Sequence, residues 1–257
     1  MFKLFLAELK RNWITLKRYS VEAISGVIGI TIVFYGLFLS FQYVGGSSAQ
    51  FGDRLDSVIV GYVLWSLVLF IISDISQGLQ REAQTGTLEQ IFLSPFGATR
   101  VFLIRALASL TTQLTLNISI LLLIMLLTGS RLSFPLILPL PLISVLLGAY
   151  GLAMGMGSLA LLLKQVQQLL GIFQFMLFFL LLVPSESWSA GYRILSWLLP
   201  MTPGAGLLRE VMARGQALDA TQFLVALLNG VVYFGLGMLA FRWAEREAKR
   251  KGKLTGY

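Results

Sequence analysis

The sequence predicts an all-α, polytopic membrane protein: one transmembrane domain over residues 1–257, crossing the bilayer six times. Three observations predict it. Hydrophobic residues make up 56% of the chain and charged residues 12%, against about 25% charged in an average soluble domain. The mean hydropathy is +0.80. The charges are also confined to gaps: the stretches 23–52, 57–73, 106–130, 132–163, 165–185 and 220–241 contain no Asp, Glu, Lys or Arg.

A spanning helix needs about 20 mostly apolar residues, which places spans near 23–44, 57–78, 101–128, 140–163, 166–183 and 221–242. Before the first, residues 1–20 interleave Phe2, Leu4, Phe5, Leu6, Leu9, Trp13, Ile14 and Leu16 with Lys3, Lys10, Arg11, Lys17 and Arg18. That pattern fits a helix lying in the membrane interface, its apolar face in lipid and its basic residues on headgroups. Glu22 follows Arg18 by one helical turn and is placed to pair with it. Charged residues precede the first span and no small-residue cleavage site follows, so it is not read as a removable leader. The third window is long enough to hold a break. The fourth opens after Pro135, Pro139 and Pro141, which suit an irregular entry at the membrane surface. Within it, Gly151 and Gly155, Ala153 and Gly157 form small-xxx-small pairs beside Gly148. With Gly26 and Gly29 in the first span and Gly230, Gly235 and Gly237 in the last, they predict close helix packing, by default inside one subunit, with a dimer contact as the alternative.

Orientation follows from the cations. With both termini inside, the internal segments hold fifteen of the 20 Lys and Arg residues and the external segments five, as the positive-inside rule requires. The net charge of +8 is thereby a topology signal. Basic residues border the spans with no base-reading motif, so no nucleic-acid partner is expected.

Several chemistries are excluded. There is no cysteine and no histidine, which removes a disulfide framework, the usual zinc ligands and an intramembrane serine protease. Asp74 has no second intramembrane aspartate to form a protease dyad. No phosphate-binding Gly-x-x-x-x-Gly-Lys-Ser/Thr loop occurs; Gly157 to Lys164 is the nearest approach and lies in an apolar span. Paired halves with broken helices, expected of a secondary transporter, are not evident.

Between the second and third spans lies Gln84-Thr85-Gly86-Thr87-Leu88-Glu89-Gln90-Ile91-Phe92-Leu93-Ser94-Pro95. Thr85 or Thr87 can cap a helix, Gly86 lets the chain bend into it, and Ser94-Pro95 ends it. Leu88, Ile91 and Phe92 share one face. Such a helix, at 84–96, is too short to be stable alone in water and expects a groove, its own or a partner's. The pattern alone serves an ordinary cytosolic loop equally well.

The run from Gly86 to Pro95, followed by Arg100 and Arg105, resembles the signature loop of permease subunits of type-2 ABC exporters, and the whole chain resembles them in organisation. The resemblance implies a coupling helix that docks on a separate ATPase through Gly86, Thr87, Leu88, Glu89, Ile91, Phe92, Ser94 and Pro95, with Glu89 the polar contact. It implies two ATPase copies carrying ATP and Mg, and no cofactor on this chain. A second permease subunit, identical or related, is needed because six spans enclose a path poorly. The cell (inner or plasma) membrane is the implied location. The family also has an external re-entrant hairpin between its last two spans. Here residues 184–214, with Pro184 and Pro200 bracketing Trp188, Tyr192, Ile194, Leu195, Trp197, Leu198 and Leu199, resemble it, and Pro203 with Arg209-Glu210 resembles its exit. Interfacial Trp and Tyr agree; a surface helix is the plainer reading.

For the substrate path the candidates are Phe173, Phe175, Phe178 and Phe179 of the fifth span, and Asp74 near the end of the second. An aromatic face would suit a lipid, a lipid-linked glycan or a hydrophobic drug. Asp74 is the one deep acid, and it can equally bond Ser73 or Ser76. The competing functional readings are an ATP-independent carrier and a non-transporting membrane scaffold.

Overall fold

The computed structural model describes residues 2–45, 52–84, 98–163, 166–184 and 195–250. Eight helices organise them: α1 (Phe2–Arg18), α2 (Ser20–Gly45), α3 (Gly52–Gln84), α4 (Ala98–Thr128), α5 (Pro139–Leu162), α6 (Gln167–Leu182), α7 (Thr202–Met212) and α8 (Ala220–Arg250). Among the described residues, five helices (α2, α3, α4, α5 and α8) are long and apolar enough to cross a membrane. The apolar α6 is shorter, at 16 residues, or about 24 Å. The long third window is one unbroken helix, α4. The prolines behave as expected: the chain is irregular through 130–135, and α5 begins with Pro139 in its first turn, where a missing N–H costs nothing.

α3 and α5 form the centre. Two thirds of the apolar window of each is buried (67%), against 17% for α2 and α8 and 22% for α4. Ile59, Leu67, Val68, Ile72, Met154 and Leu177 are almost wholly enclosed. The apolar surfaces of α2, α4 and α8 that remain uncovered suit lipid or another membrane helix.

Small residues bring α5 and α8 together. A Cβ at Gly237 would collide with the backbone of Gly151, one at Gly151 with the backbone of Tyr233, and one at Gly230 with the Ser144 carbonyl. Both sequences rise together along the contact, so α5 and α8 run parallel. Gly148 receives the Met201 side chain, and Gly157 meets Leu79, Ile75 and Phe241. These glycines therefore pack within one chain. Gly26, Gly29, Gly155 and Gly235 meet nothing within 4 Å.

α6 runs antiparallel to α3. Gln174 lies beside Ser73 and Trp65, Phe178 beside Trp65 and Tyr62, and the Leu181 carbonyl against Gly61. α6 thus carries the chain from the end of α5 back toward the start of α3, and α8 then descends parallel to α5.

Candidate functional site: the two ends of the bundle

The docking residues Gly86, Thr87, Leu88, Glu89, Ile91, Phe92, Ser94 and Pro95 lie outside the described residues. What is described is their frame, the end of α3 and the start of α4. There an ion-pair network ties three helices together. Arg105 of α4 donates from Nε to Glu8 of α1 (2.9 Å) and from Nη1 to Glu82 of α3 (2.7 Å). Glu8 also holds Arg11 at 3.2 Å. The Glu8 side chain is 9% exposed and the Arg105 side chain 26%, so this is a partly buried, charge-assisted cluster rather than a solvated surface pair. Sequence reading missed it. Glu8 is the sole acid of α1 amid five cations, a signal that something other than headgroups awaited it. Leu4, Phe5, Leu9, Asn12 and Leu16 share the half-buried face with Glu8, while Leu6, Trp13 and Ile14 stay exposed. The apolar residues of α1 therefore divide between the bundle and the exposed surface.

Asp74 belongs to this end. It lines a cavity of about 190 Å³ with Arg11, Arg81, Glu82, Arg105 and Ser109. The Ser109 hydroxyl lies beside its carboxylate, and Arg81 and Arg11 are the nearby positive charges. Glu22 is exposed and is not ion-paired with Arg18, whose guanidinium sits 5.9 Å above the Tyr19 ring instead.

The four phenylalanines are elsewhere and face two ways. Phe178 packs edge-on against Trp65, with centroids 4.9 Å apart, and against Tyr62 at 6.3 Å. Phe34 joins Tyr62 at 4.9 Å, and Phe173 lies against the core. Phe175 and Phe179 point outward, 71% and 62% exposed. The aromatic cluster joins α2, α3 and α6. Its polar groups are satisfied by backbone: Tyr62 donates to the Ile30 carbonyl (2.7 Å) and Trp65 to that of Gln174 (3.1 Å). Trp65 and Asp74 are nine residues apart on α3, about 13 Å. The sequence-predicted path residues thus form two groups, not one.

At the opposite end, residues 195–212 are gripped by α8. Asn229 donates from Nδ2 to the carbonyls of Trp197 (2.8 Å) and Leu199 (3.1 Å) and accepts from the Met201 amide (3.1 Å). Tyr233 donates to the Leu198 carbonyl (2.7 Å). Met201 has a left-handed φ of 61°, a conformation that persists in a non-glycine residue only when its surroundings hold it. Here the Asn229 bond and the Gly148 hollow do so. Arg209 of α7 is completely buried and donates to the Leu181 carbonyl that ends α6.

The fold and these two ends describe a multi-pass helical bundle. The sequence profile described as ABC-2 type transporter matches residues 3–213, and the chain belongs to that family: it is a multi-pass permease component that works with an ABC ATPase subunit. A search of curated proteins finds no match.

Proposed function

We propose that this chain is the membrane subunit of an ATP-driven exporter that moves an amphipathic or lipid-like molecule out of the cytoplasm. Two copies of a separate ATPase, carrying ATP and Mg, dock on the Gly86–Pro95 helix, and a second permease subunit, identical or related, completes the path. ATP binding closes the ATPases, the docked helices follow, and the spans shift between inward and outward arrangements. The observation that carries the reading is family membership joined to the Glu8–Arg105–Glu82 network, which links both roots of the docking segment to α1. A push on that segment would be shared by α1, α3 and α4 at once.

Six spans, with both termini cytoplasmic, fit the path of the chain. Parallel α5 and α8 require one return crossing, and α6 makes most of it. Its 24 Å falls short of a hydrocarbon core of about 30 Å, and the re-entrant segment makes up the difference. Two depth marks support this. Gly61, beside the end of α6, is nine residues from the start of α3. Asn229, holding the Trp197–Met201 backbone, is nine residues from the start of α8. Both lie about 13 Å inside their helices. Irregular backbone at that depth has to be enclosed by protein, and Asn229, Tyr233 and Arg209 meet its carbonyls. The outward-facing Phe175 and Phe179 of α6 support an apolar or amphipathic substrate.

The test is copurification and ATP hydrolysis in lipid nanodiscs with the candidate ATPase. Wild-type complex should hydrolyse ATP, and a Glu89→Ala/Phe92→Ala double variant should lose assembly or change its rate several-fold. A complex indifferent to that change would favour a scaffold or an ATP-independent carrier.

A further inference from the structure

α8 keeps one face open along most of its length, and that face changes character once. Leu228, Val232, Gly235, Leu239, Arg242 and Arg246 recur every three or four residues and so share it. The opposite side, with Ala226, Gly230, Gly237, Phe241, Ala244 and Ala248, is buried. On the open face Leu228, Val232 and Leu239 are exposed apolar side chains. Gly235 leaves a notch among them, since a Cβ there meets nothing within 4 Å. Trp243 is exposed where the apolar run ends, and Arg242, Arg246 and Lys249 are exposed there and beyond. The order from apolar to indole to cation is that of one continuous helix. Leu228 to Leu239 covers about 16 Å, half of a hydrocarbon core of about 30 Å.

The cations differ in their partners. Lys249 is paired with Glu245 at 2.9 Å and Arg250 with Glu247 at 4.0 Å. Arg242 and Arg246 make no ion pair or hydrogen bond among the described residues. They stand one turn apart, about 6 Å along the axis, close enough for two guanidinium groups to grip one phosphate. Phe241 packs against Phe102 near the start of α4, with ring centroids 6.0 Å apart. The pair therefore lies at the same end of the bundle as the Glu8–Arg105–Glu82 network. A second copy meeting this face across a two-fold axis would bring the same arginines together, and like charges repel. A lipid of opposite charge meets no such conflict.

From this arrangement we infer that the open face of α8 binds an anionic phospholipid, its acyl chain along Leu228–Leu239 and its phosphate on Arg242 and Arg246. Exposed cations just beyond a span attract anionic headgroups in this way, and the indole of Trp243 suits the interface between the two. A choline lipid carries its own ammonium beside the phosphate, which offsets the charge that the arginines would meet. The inference needs α8 to span the bilayer but not the exporter reading.

The experiment is photo-crosslinking of the full chain in nanodiscs. One sample carries phosphatidylglycerol with a diazirine midway along an acyl chain, the other a phosphatidylcholine otherwise identical, and adducts are mapped by peptide mass spectrometry. Adducts on residues 228–239 should be at least about fivefold more frequent with phosphatidylglycerol. Arg242→Gln/Arg246→Gln should reduce them to the phosphatidylcholine level and leave adducts on the exposed Leu122 and Leu126 of α4 unchanged. Both arginines are exposed, so the Tm should hold. If the pair lowers it, Arg246→Gln alone decides, with a partial loss expected. Equal labelling by the two lipids, a preference that survives the substitution, or a face that neither lipid labels because another copy covers it overturns the inference.

Discussion

The two ends of this bundle are joined by different physics. At the α1 end, Glu8, Arg105 and Glu82 hold three helices by long, charged side chains that can lengthen, re-pair or slide with little rearrangement of backbone. At the other end, α5, α8 and the 195–212 segment meet backbone to backbone, through Gly151, Gly230 and Gly237, with Asn229 clasping three main-chain groups. Steric contacts of that kind have almost no travel, because packed interiors are as dense as crystals. The proposed exporter would have use for both: a compliant cluster where an ATPase would push, and a rigid clasp that would convert the push into movement of whole helices.

The contrast can be broken most forcefully at the glycines. Gly237→Val puts a branched side chain into the backbone of Gly151 and should destabilise the chain by more than about 3 kcal/mol, seen as lost folded yield in size-exclusion chromatography. Asn229→Leu leaves two carbonyls and an amide without their partner and should cost about 2–4 kcal/mol, read as a lower Tm in detergent. Asn229→Asp should recover only the Met201 bond.

The ion-pair end should behave differently. Glu8→Gln should cost about 1–2 kcal/mol, since the pair is only partly buried, while lowering the ratio of transport to ATP hydrolysis by a larger factor. The swap Glu8→Arg with Arg105→Glu should restore part of both, and a double-mutant cycle measures the coupling. The smallest effect sharpens the comparison as a control. Gly155→Ala, where a Cβ meets nothing within 4 Å, should be neutral or stabilising by up to about 1 kcal/mol through helix propensity.

Much of this architecture was legible in the sequence because bilayer crossing imposes a one-dimensional signal: runs free of charge, prolines at an entry, cations on one side. The Gly151 and Gly157 contacts were legible for a similar reason, since small residues on a spanning helix mark close approach. The long-range polar contacts were not. Nothing local in Glu8 points to Arg105, 97 positions away, or in Asn229 to Trp197. Arg209 reads as an interfacial charge until the fold closes over it and offers the Leu181 carbonyl. Asp74 and the span-five phenylalanines are both path candidates, and the sequence does not say how they lie relative to one another. The antiparallel packing of α3 and α6 sets Phe178 beside Trp65 and Tyr62, well away from Asp74. The docking helix was read from the spacing of Leu88, Ile91 and Phe92 and from family resemblance, and it lies outside the described residues.

The central claim, that the Gly86–Pro95 segment is where the ATPase docks, can be tested directly because the chain has no cysteine. Single thiols at Glu89→Cys and, at the opposite end, the exposed Gln216→Cys can each be joined to the ATPase with a short heterobifunctional crosslinker in nanodiscs. The account expects Glu89→Cys to give a permease–ATPase product whose yield changes with bound ATP, and Gln216→Cys to give none. A product from Gln216→Cys, or none from Glu89→Cys in a complex that still copurifies, would contradict it.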